Sequence, residues 1–289
     1  MFGECHAHIF MNGFDYRKAV KDHRDRPDEA EIRRALEAYR THGVAFVRDG
    51  GDHFGASLLA RRLAPEYGIT YLTPGFAIYR EGRYGKVVGL SYGNLREYAA
   101  LVRRLADEGG DFVKIMTTGI MDFQTDRGLT SEPLEREEVR EMVHIAHEEG
   151  FRVMSHTNGA RAVEIAVEAG VDSLEHGNFQ DGDSIACMAE HEVVWVPTAV
   201  TVRNLIGSGR FSDEVLKSIW KGLEENMRLA KKLGVMFALG SDAGACGVFH
   251  GQGICEEYQA FQDIFPEDTA LEQGLKAGEM RIRKFVRET

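Results

Sequence analysis

The sequence predicts an α/β protein of the (β/α)₈ barrel class, formed as a single domain over residues 1–289. Three observations carry that expectation. Short apolar runs alternate with longer amphipathic segments, the pattern of a parallel sheet with crossover helices. Eight such strand–helix units follow in order, and barrels of this TIM type commonly run to about 250 residues as one unit. Gly43, Gly68, Gly150, Gly170 and Gly234 each sit just past a helical segment and before an apolar run, where a left-handed helix C-cap belongs. No doubly wound fingerprint and no low-complexity linker interrupts the series. An open doubly wound sheet is the alternative architecture.

In chain order, Gly3–Ile9 reads as the first strand, and Pro27–Thr41 carries apolar positions at helical spacing. The second strand, Val44–Val47, ends in the polar turn Arg48-Asp49-Gly50-Gly51. Helix Ala56–Ala64 leads to strand Ile69–Thr73, then a long Gly-containing loop to helix Leu95–Asp107. Strand Phe112–Met116, helix Glu135–Glu149, strand Arg152–Ser155 and helix Ala160–Ala169 follow. Strand Asp172–Glu175, helix Asp183–His191 and strand Val193–Pro197 come next. The series closes with helix Asp213–Leu233, strand Val235–Leu239 and helices from about Glu256.

With 43% hydrophobic residues the chain can bury a substantial core. Its 46 acidic and 35 basic residues give a formal charge of −11, and no basic tract stands out, which argues against nucleic acid and anionic lipid as partners. Cys5, Cys187, Cys246 and Cys255 form no C-x-x-C pair, so a reducing compartment fits better than a disulfide framework. The N-terminus lacks the pattern of a secretory signal, and no apolar stretch approaches a membrane span. A soluble, cytoplasmic protein is expected.

Potential metal ligands gather at strand ends. His6 and His8 lie two apart in the first strand and project to one face. Lys114 lies within the fourth strand, His156 ends the fifth, His176 follows the sixth and Asp242 follows the eighth. In a barrel all six converge at the mouth where such folds place their chemistry. A lone histidine near a strand is usually a packed or hydrogen-bonded side chain. A lysine in an apolar strand is less ordinary, because a buried ammonium costs several kcal/mol unless paired with an acid or chemically altered.

The segments Cys5-His6-Ala7-His8, Val113-Lys114-Ile115-Met116-Thr117-Thr118-Gly119, Ser155-His156-Thr157-Asn158-Gly159, Leu174-Glu175-His176-Gly177 and Gly240-Ser241-Asp242-Ala243-Gly244 resemble the amidohydrolase superfamily. The resemblance is closest to the branch of imidazolonepropionase-like and Xaa-Pro or Xaa-Arg dipeptidase-like members. It implies two divalent metal ions, with His6, His8 and Asp242 on the more buried one and His156 and His176 on the other. Lys114, carboxylated by CO₂, is implied to bridge them. Zinc suits this ligand set, and manganese, iron or nickel also fit. The resemblance further implies that Asp242 is catalytic, taking a proton from water and delivering it to the leaving group.

Other residues divide between site and scaffold. His250, in the loop after the eighth strand, either faces substrate or stabilises the loop. Asn158 either orients a substrate carbonyl or serves a turn. Tyr79, Arg80, Arg83 and Tyr84 occupy the loop after the third strand, and Arg203 that after the seventh; Tyr79 and Arg203 are carried as substrate contacts, against the plainer reading of a solvated surface arginine for Arg203. Met121, Phe123 and Gln124 either line an apolar pocket or pack down. His53 reads as a solvated loop residue, and His144 and His147, on an outer helix without the Glu of H-E-x-x-H, read as structural.

Most relatives carry a small β-sandwich built from strands before H-x-H and after the last helix. Here H-x-H begins at residue 6, so the sandwich is expected to be absent and the uncovered surface suggests a homo-oligomer. The expected function is metal-dependent hydrolysis of an amide, peptide-like or cyclic amide bond in a small-molecule substrate. Lactone or ester cleavage at the same site is the alternative, and a catalytically silent metal-binding barrel is the alternative from a different class.

Overall fold

A computed structural model describes residues 2–125 and 127–288. Its strands are β1 (Glu4–Ala7), β2 (Phe46–Asp49), β3 (Thr70–Leu72), β4 (Ala77–Arg80), β5 (Gly89–Tyr92), β6 (Val113–Met116), β7 (Met121–Asp122), β8 (Gly128–Leu129), β9 (Val153–Thr157), β10 (Ser173–His176), β11 (Val194–Val196) and β12 (Met236–Phe237). The helices are α1 (Tyr16–His23), α2 (Glu29–Thr41), α3 (Ala56–Leu63), α4 (Leu95–Asp107), α5 (Arg136–Glu148), α6 (Ala160–Glu168), α7 (Gly182–Glu190), α8 (Val200–Arg203), α9 (Asp213–Leu233), α10 (Gln252–Ile264) and α11 (Leu271–Ile282). Each of the eight expected strands has a counterpart. All five expected C-cap glycines adopt left-handed backbone, with φ between 70° and 92°.

Side chains start several helices as well. Asp28 accepts from the backbone of Ala30 and Glu31 before α2, Asn94 does so for Arg96 and Glu97 before α4, and Asp181 with Ser184 forms a capping box on α7.

The principal strands pair in parallel within two sheets, ordered β1-β2-β3 and β12-β11-β10-β9-β6-β4-β5; β7 and β8 make a separate antiparallel hairpin. Several elements depart from the sequence expectation, β4, β5 and α1 among them. The segment after the third strand, expected as loop, contains β4 and β5. Pro74, which has no N–H for a ladder, separates β3 on β2 from β4 on β6, so one long bent strand reads as two. Helix α1, in the excursion after the first strand, was not expected either. It is short and polar outside, and the side chain of Asp15 caps it.

Backbone hydrogen bonds run across both gaps between the sheets. Asp111 N–H donates to the Thr73 carbonyl at 2.9 Å, and Cys5 N–H donates to the Leu239 carbonyl at 2.9 Å. Higher up, Asp242 N–H donates to His6 at 2.8 Å and His8 N–H to Ala243 at 2.8 Å. Phe46, Leu72, Phe112, Met154 and Val194 belong to one inner apolar cluster, joined by Ile282 and Phe285 from the C-terminal segment. A larger cluster lies between strands and helices. No helix among the described residues is long and apolar enough to cross a membrane.

Candidate metal centre at the strand tips

Register determines which tips meet. Met116 of β6 lies beside His156 of β9, and His156 lies beside Glu175 of β10; Lys114 sits two residues deeper, beside Met154. On β1 the pairing register with β2 slips between Glu4 and Ala7. Gly240 and Gly50 make room for the histidines there. A Cβ on Gly240 would stand 2.8 Å from the His6 nitrogen, and one on Gly50 would stand 2.4 Å from His8 Cε1. Both would clash.

His6, His8 and Asp242 come together so that one ligand atom from each lies within 4.8 Å of the others. Asp242 Oδ1 is 3.7 Å from His6 Nε2 and 3.5 Å from His8 Nε2. The His176 ring centroid is 5.0 Å from His6 and 4.7 Å from His156, so five of the six expected residues form one connected cluster. Lys114 is buried beneath them. Its Nζ has neither a hydrogen-bond partner nor, among the described residues, a carboxylate oxygen within 4.0 Å, so the plain alternative of a lysine paired with an acid is not what the structure holds.

Burial sets the protonation states. It lowers His8 and His156 to about 3, with the Lys114 charge adding to the effect, and pushes His6 and His176 well below the ordinary imidazole range. Neutral imidazole is the form that binds a cation. Burial also lowers Lys114 to about 8 and raises Asp242 to about 6, the latter opposed by attraction to Lys114.

The second ring nitrogens are held from outside the cluster. His6 Nδ1 is 2.6 Å from Glu175 Oε2, His176 Nδ1 is 2.8 Å from Thr198 Oγ1, and His156 Nε2 is 3.2 Å from the Gly119 carbonyl. His176, Thr198 and Asp242 all have positive φ, at 67°, 49° and 60°. Non-glycine residues in that region are strained, and here they share one site.

The residues fit divalent cations. His6 Nε2 and Asp242 Oδ1 are buried polar atoms with no hydrogen-bond partner, a costly state that a coordinating ion relieves. Imidazole and carboxylate donors together suit zinc and its neighbours.

The expected substrate contacts fare differently. His250 is committed to the scaffold: its Nε2 donates to the Met11 carbonyl at 2.8 Å and its Nδ1 accepts from Tyr39 at 2.9 Å. Asn158 is buried, and its Oδ1 accepts both the backbone N–H and the side-chain amide of Asn178 at 3.0 Å, a loop-tying role. Arg203 turns to Asp263 on α10 at 2.5 Å. Tyr79 is buried in the core on β4. Its neighbour Tyr84 lies against the His156 ring at 5.2 Å. Arg80 is paired with Glu138 at 2.6 Å. Met121 packs with Leu205, Phe179 and Phe211 into a third apolar cluster, and Phe123 joins it. His147 is held by Asp172 at 3.0 Å, and His53 is exposed beside Phe54.

Sequence reasoning missed Arg48, Glu175 and Thr198. The signal for Arg48 and Glu175 was parity: Arg48 lies two residues past Phe46, and Glu175 two past Ser173, so each continues an inward face. Thr198 left no comparable trace.

The sequence model of the amidohydrolase family matches residues 2–267. The chain belongs to the amidohydrolase family. An uncharacterised protein of Mycobacterium tuberculosis is 31% identical over 128 residues, 42% of this chain and 34% of that one. Ochratoxinase of Aspergillus niger is 24% identical over 220 residues, 74% of this chain and 42% of that one. The amidohydrolase chain thus matches less than half the length of these curated relatives. Among solved structures, a prolidase complexed with N-methylphosphonate-L-proline superposes with a TM-score of 0.77 at 20% identity, covering 98% of this chain and 74% of that one. A Xaa-Pro dipeptidase with bound methionine gives 0.75 at 20% identity, covering 98% and 75%. At these identities the likeness establishes the fold.

Proposed function

We propose that this amidohydrolase cleaves an amide, peptide-like or cyclic amide bond of a small molecule with the help of two divalent metal ions. The observation that carries the reading is the meeting of His6, His8 and Asp242 beside the rings of His156 and His176, with Lys114 buried nearby, where His6 Nε2, Lys114 Nζ and Asp242 Oδ1 lack hydrogen-bond partners. We read the two sheets as one closed eight-stranded barrel over a single domain; the hydrogen bonds across both gaps support this.

His6, His8 and Asp242 would hold one ion, His156 and His176 the other, and a carboxylated Lys114 would stand between them. Such a pair supplies an acidified water and a polarised substrate carbonyl. The remaining chemistry belongs to the chain. Near neutral pH an appreciable share of Lys114 is the free amine, because burial has lowered it to about 8. That amine adds to CO₂, forming an N–C bond and releasing a proton, so an unpaired cation becomes an anionic oxygen ligand. Asp242, raised to about 6, is ionised at neutral pH yet basic enough to receive a proton. It takes that proton as water oxygen bonds to the carbonyl carbon, and passes it to the leaving nitrogen as the C–N bond breaks. Tyr84 places a phenol beside His156 at the mouth.

Relatives named as prolidase, Xaa-Pro dipeptidase and ochratoxinase make dipeptides and N-acyl amino acids the first compounds to assay. The test combines metal analysis with turnover. Expected are two zinc ions per chain and hydrolysis that stops with a chelator and returns with zinc. Stoichiometric metal without turnover on dipeptides, N-acyl amino acids, lactones or esters would leave a silent metal-binding barrel. Failure to bind any divalent ion would end the proposal.

A further inference from the structure

We propose that Arg48 and Glu175 are positioning residues that dictate the tautomer of His6 and thereby its capacity to bind a cation; this rests on the metal-binding reading above. His6 can present a lone pair at Nε2 only when its proton sits on Nδ1. Glu175 Oε2 lies 2.6 Å from Nδ1, and a carboxylate only accepts, so the ring nitrogen donates.

The carboxylate is itself held by Arg48 of β2, a strand of the other sheet, and by Ser173 of its own strand. Glu175 Oε1 accepts from Arg48 Nη2 at 2.8 Å and from Ser173 Oγ at 2.6 Å. Arg48 also donates through Nη1 to Ser173 Oγ at 2.8 Å and through Nε to the Cys5 carbonyl at 2.7 Å. Its guanidinium lies 4.9 Å from the Phe285 ring centroid and 5.8 Å from that of Phe112. Arg48, Ser173, Glu175 and His6 are all fully buried, out of contact with bulk water.

A guanidinium has donors and no acceptor, which gives the whole chain one direction. Arg48 donates to Ser173 and Glu175, Ser173 donates to Glu175, and His6 donates to Glu175. His176 differs, since it faces the Thr198 hydroxyl, which can play either part. The proton on His6 is therefore set by an arginine that makes no hydrogen bond to it.

Glu175→Gln tests this with little change of shape. Because Arg48 can only donate, the new amide must turn its oxygen to Arg48 and its NH₂ to His6 Nδ1. That forces Nδ1 to accept and moves the proton to Nε2, the coordinating atom. In metal-free protein, nitrogen-resolved histidine NMR is expected to show His6 as Nδ1–H in the parent and Nε2–H in Glu175→Gln. Zinc affinity by chelator competition should fall about 10–100-fold in Glu175→Gln. Adding Arg48→Met frees the amide to turn its oxygen to His6, so the double variant should bind zinc several-fold more tightly than the single one. A merely structural role would make it weaker still.

The proposal is overturned by an Nε2–H tautomer in the metal-free parent, by unchanged affinity in Glu175→Gln, or by weaker binding in the double variant. Should Glu175→Gln fail to fold, the parent's spectrum alone decides. A parent that binds no zinc would sink the metal reading, and its His6 tautomer would still report on this one.

Discussion

Burial moves Lys114 and Asp242 towards each other, the lysine down to about 8 and the acid up to about 6. Each is strained as a charge without a partner and useful as a ligand or proton carrier. Replacing Asp242 by Asn keeps the shape and removes the proton acceptor; turnover should fall about 10²–10⁴-fold while zinc content, measured in parallel, is partly retained. Full activity in that variant would free Asp242 of its role. Lys114→Met should separate two properties. In chelator, urea unfolding is expected to find the variant more stable by about 1–3 kcal/mol, since an unpaired buried amine gives way to an apolar chain. With zinc present the same variant should bind less metal. A metal-free variant less stable than the parent would mean that the amine has a partner in solution.

Elements meet at the site through glycines and buried acids. A methyl group on Gly50 would overlap the His8 ring, so Gly50→Ala should cost about 1–3 kcal/mol in urea unfolding and lower zinc affinity by displacing one ligand. Unaltered zinc binding would show that β2 can move away. Away from the candidate metal site, Glu257 on α10 accepts the backbone N–H groups of Ala199 and Val200 at 2.9 Å, tying the start of α8. Burial raises it to about 8 from an ordinary 4.5. The folded state therefore keeps a proton that the unfolded chain loses, and stability from this group declines as pH rises from 4.5 to 8. Glu257→Gln lacks that titration, so its stability deficit against the parent should shrink between pH 5 and pH 8. A deficit that grows with pH would refute the raised value.

Across the whole molecule, the C-terminal segment closes the inner cluster. Phe285 is buried there with Ile282, and its ring lies against the Arg48 guanidinium. Phe285→Ala should cost about 3–5 kcal/mol in urea unfolding, because it opens a cavity under a buried arginine. A loss below about 1 kcal/mol would mean the cluster collapses around the gap. Metal should couple to the fold as a ligand of the native state: zinc at 100 times its Kd adds about 2.7 kcal/mol, read as a rise in Tm that a chelator reverses.

Much of this was legible in one dimension. The alternation of apolar runs and amphipathic segments, with five glycines at the joints, foretold the strand and helix order, because hydrophobic period and left-handed caps are local properties. The six strand-tip residues could likewise be named, since a polar side chain ending an apolar strand stands out wherever it occurs. Tertiary structure decided what those residues touch. Only packing between elements distant in sequence could turn Arg203 to Asp263, His250 to Met11 and Tyr39, and Asn158 to Asn178. The same holds for Arg48, which meets Glu175 from 127 residues away. Hydrogen bonds between side chains depend on atoms coming within about 3 Å, and a sequence specifies which donors and acceptors exist before folding determines which of them meet.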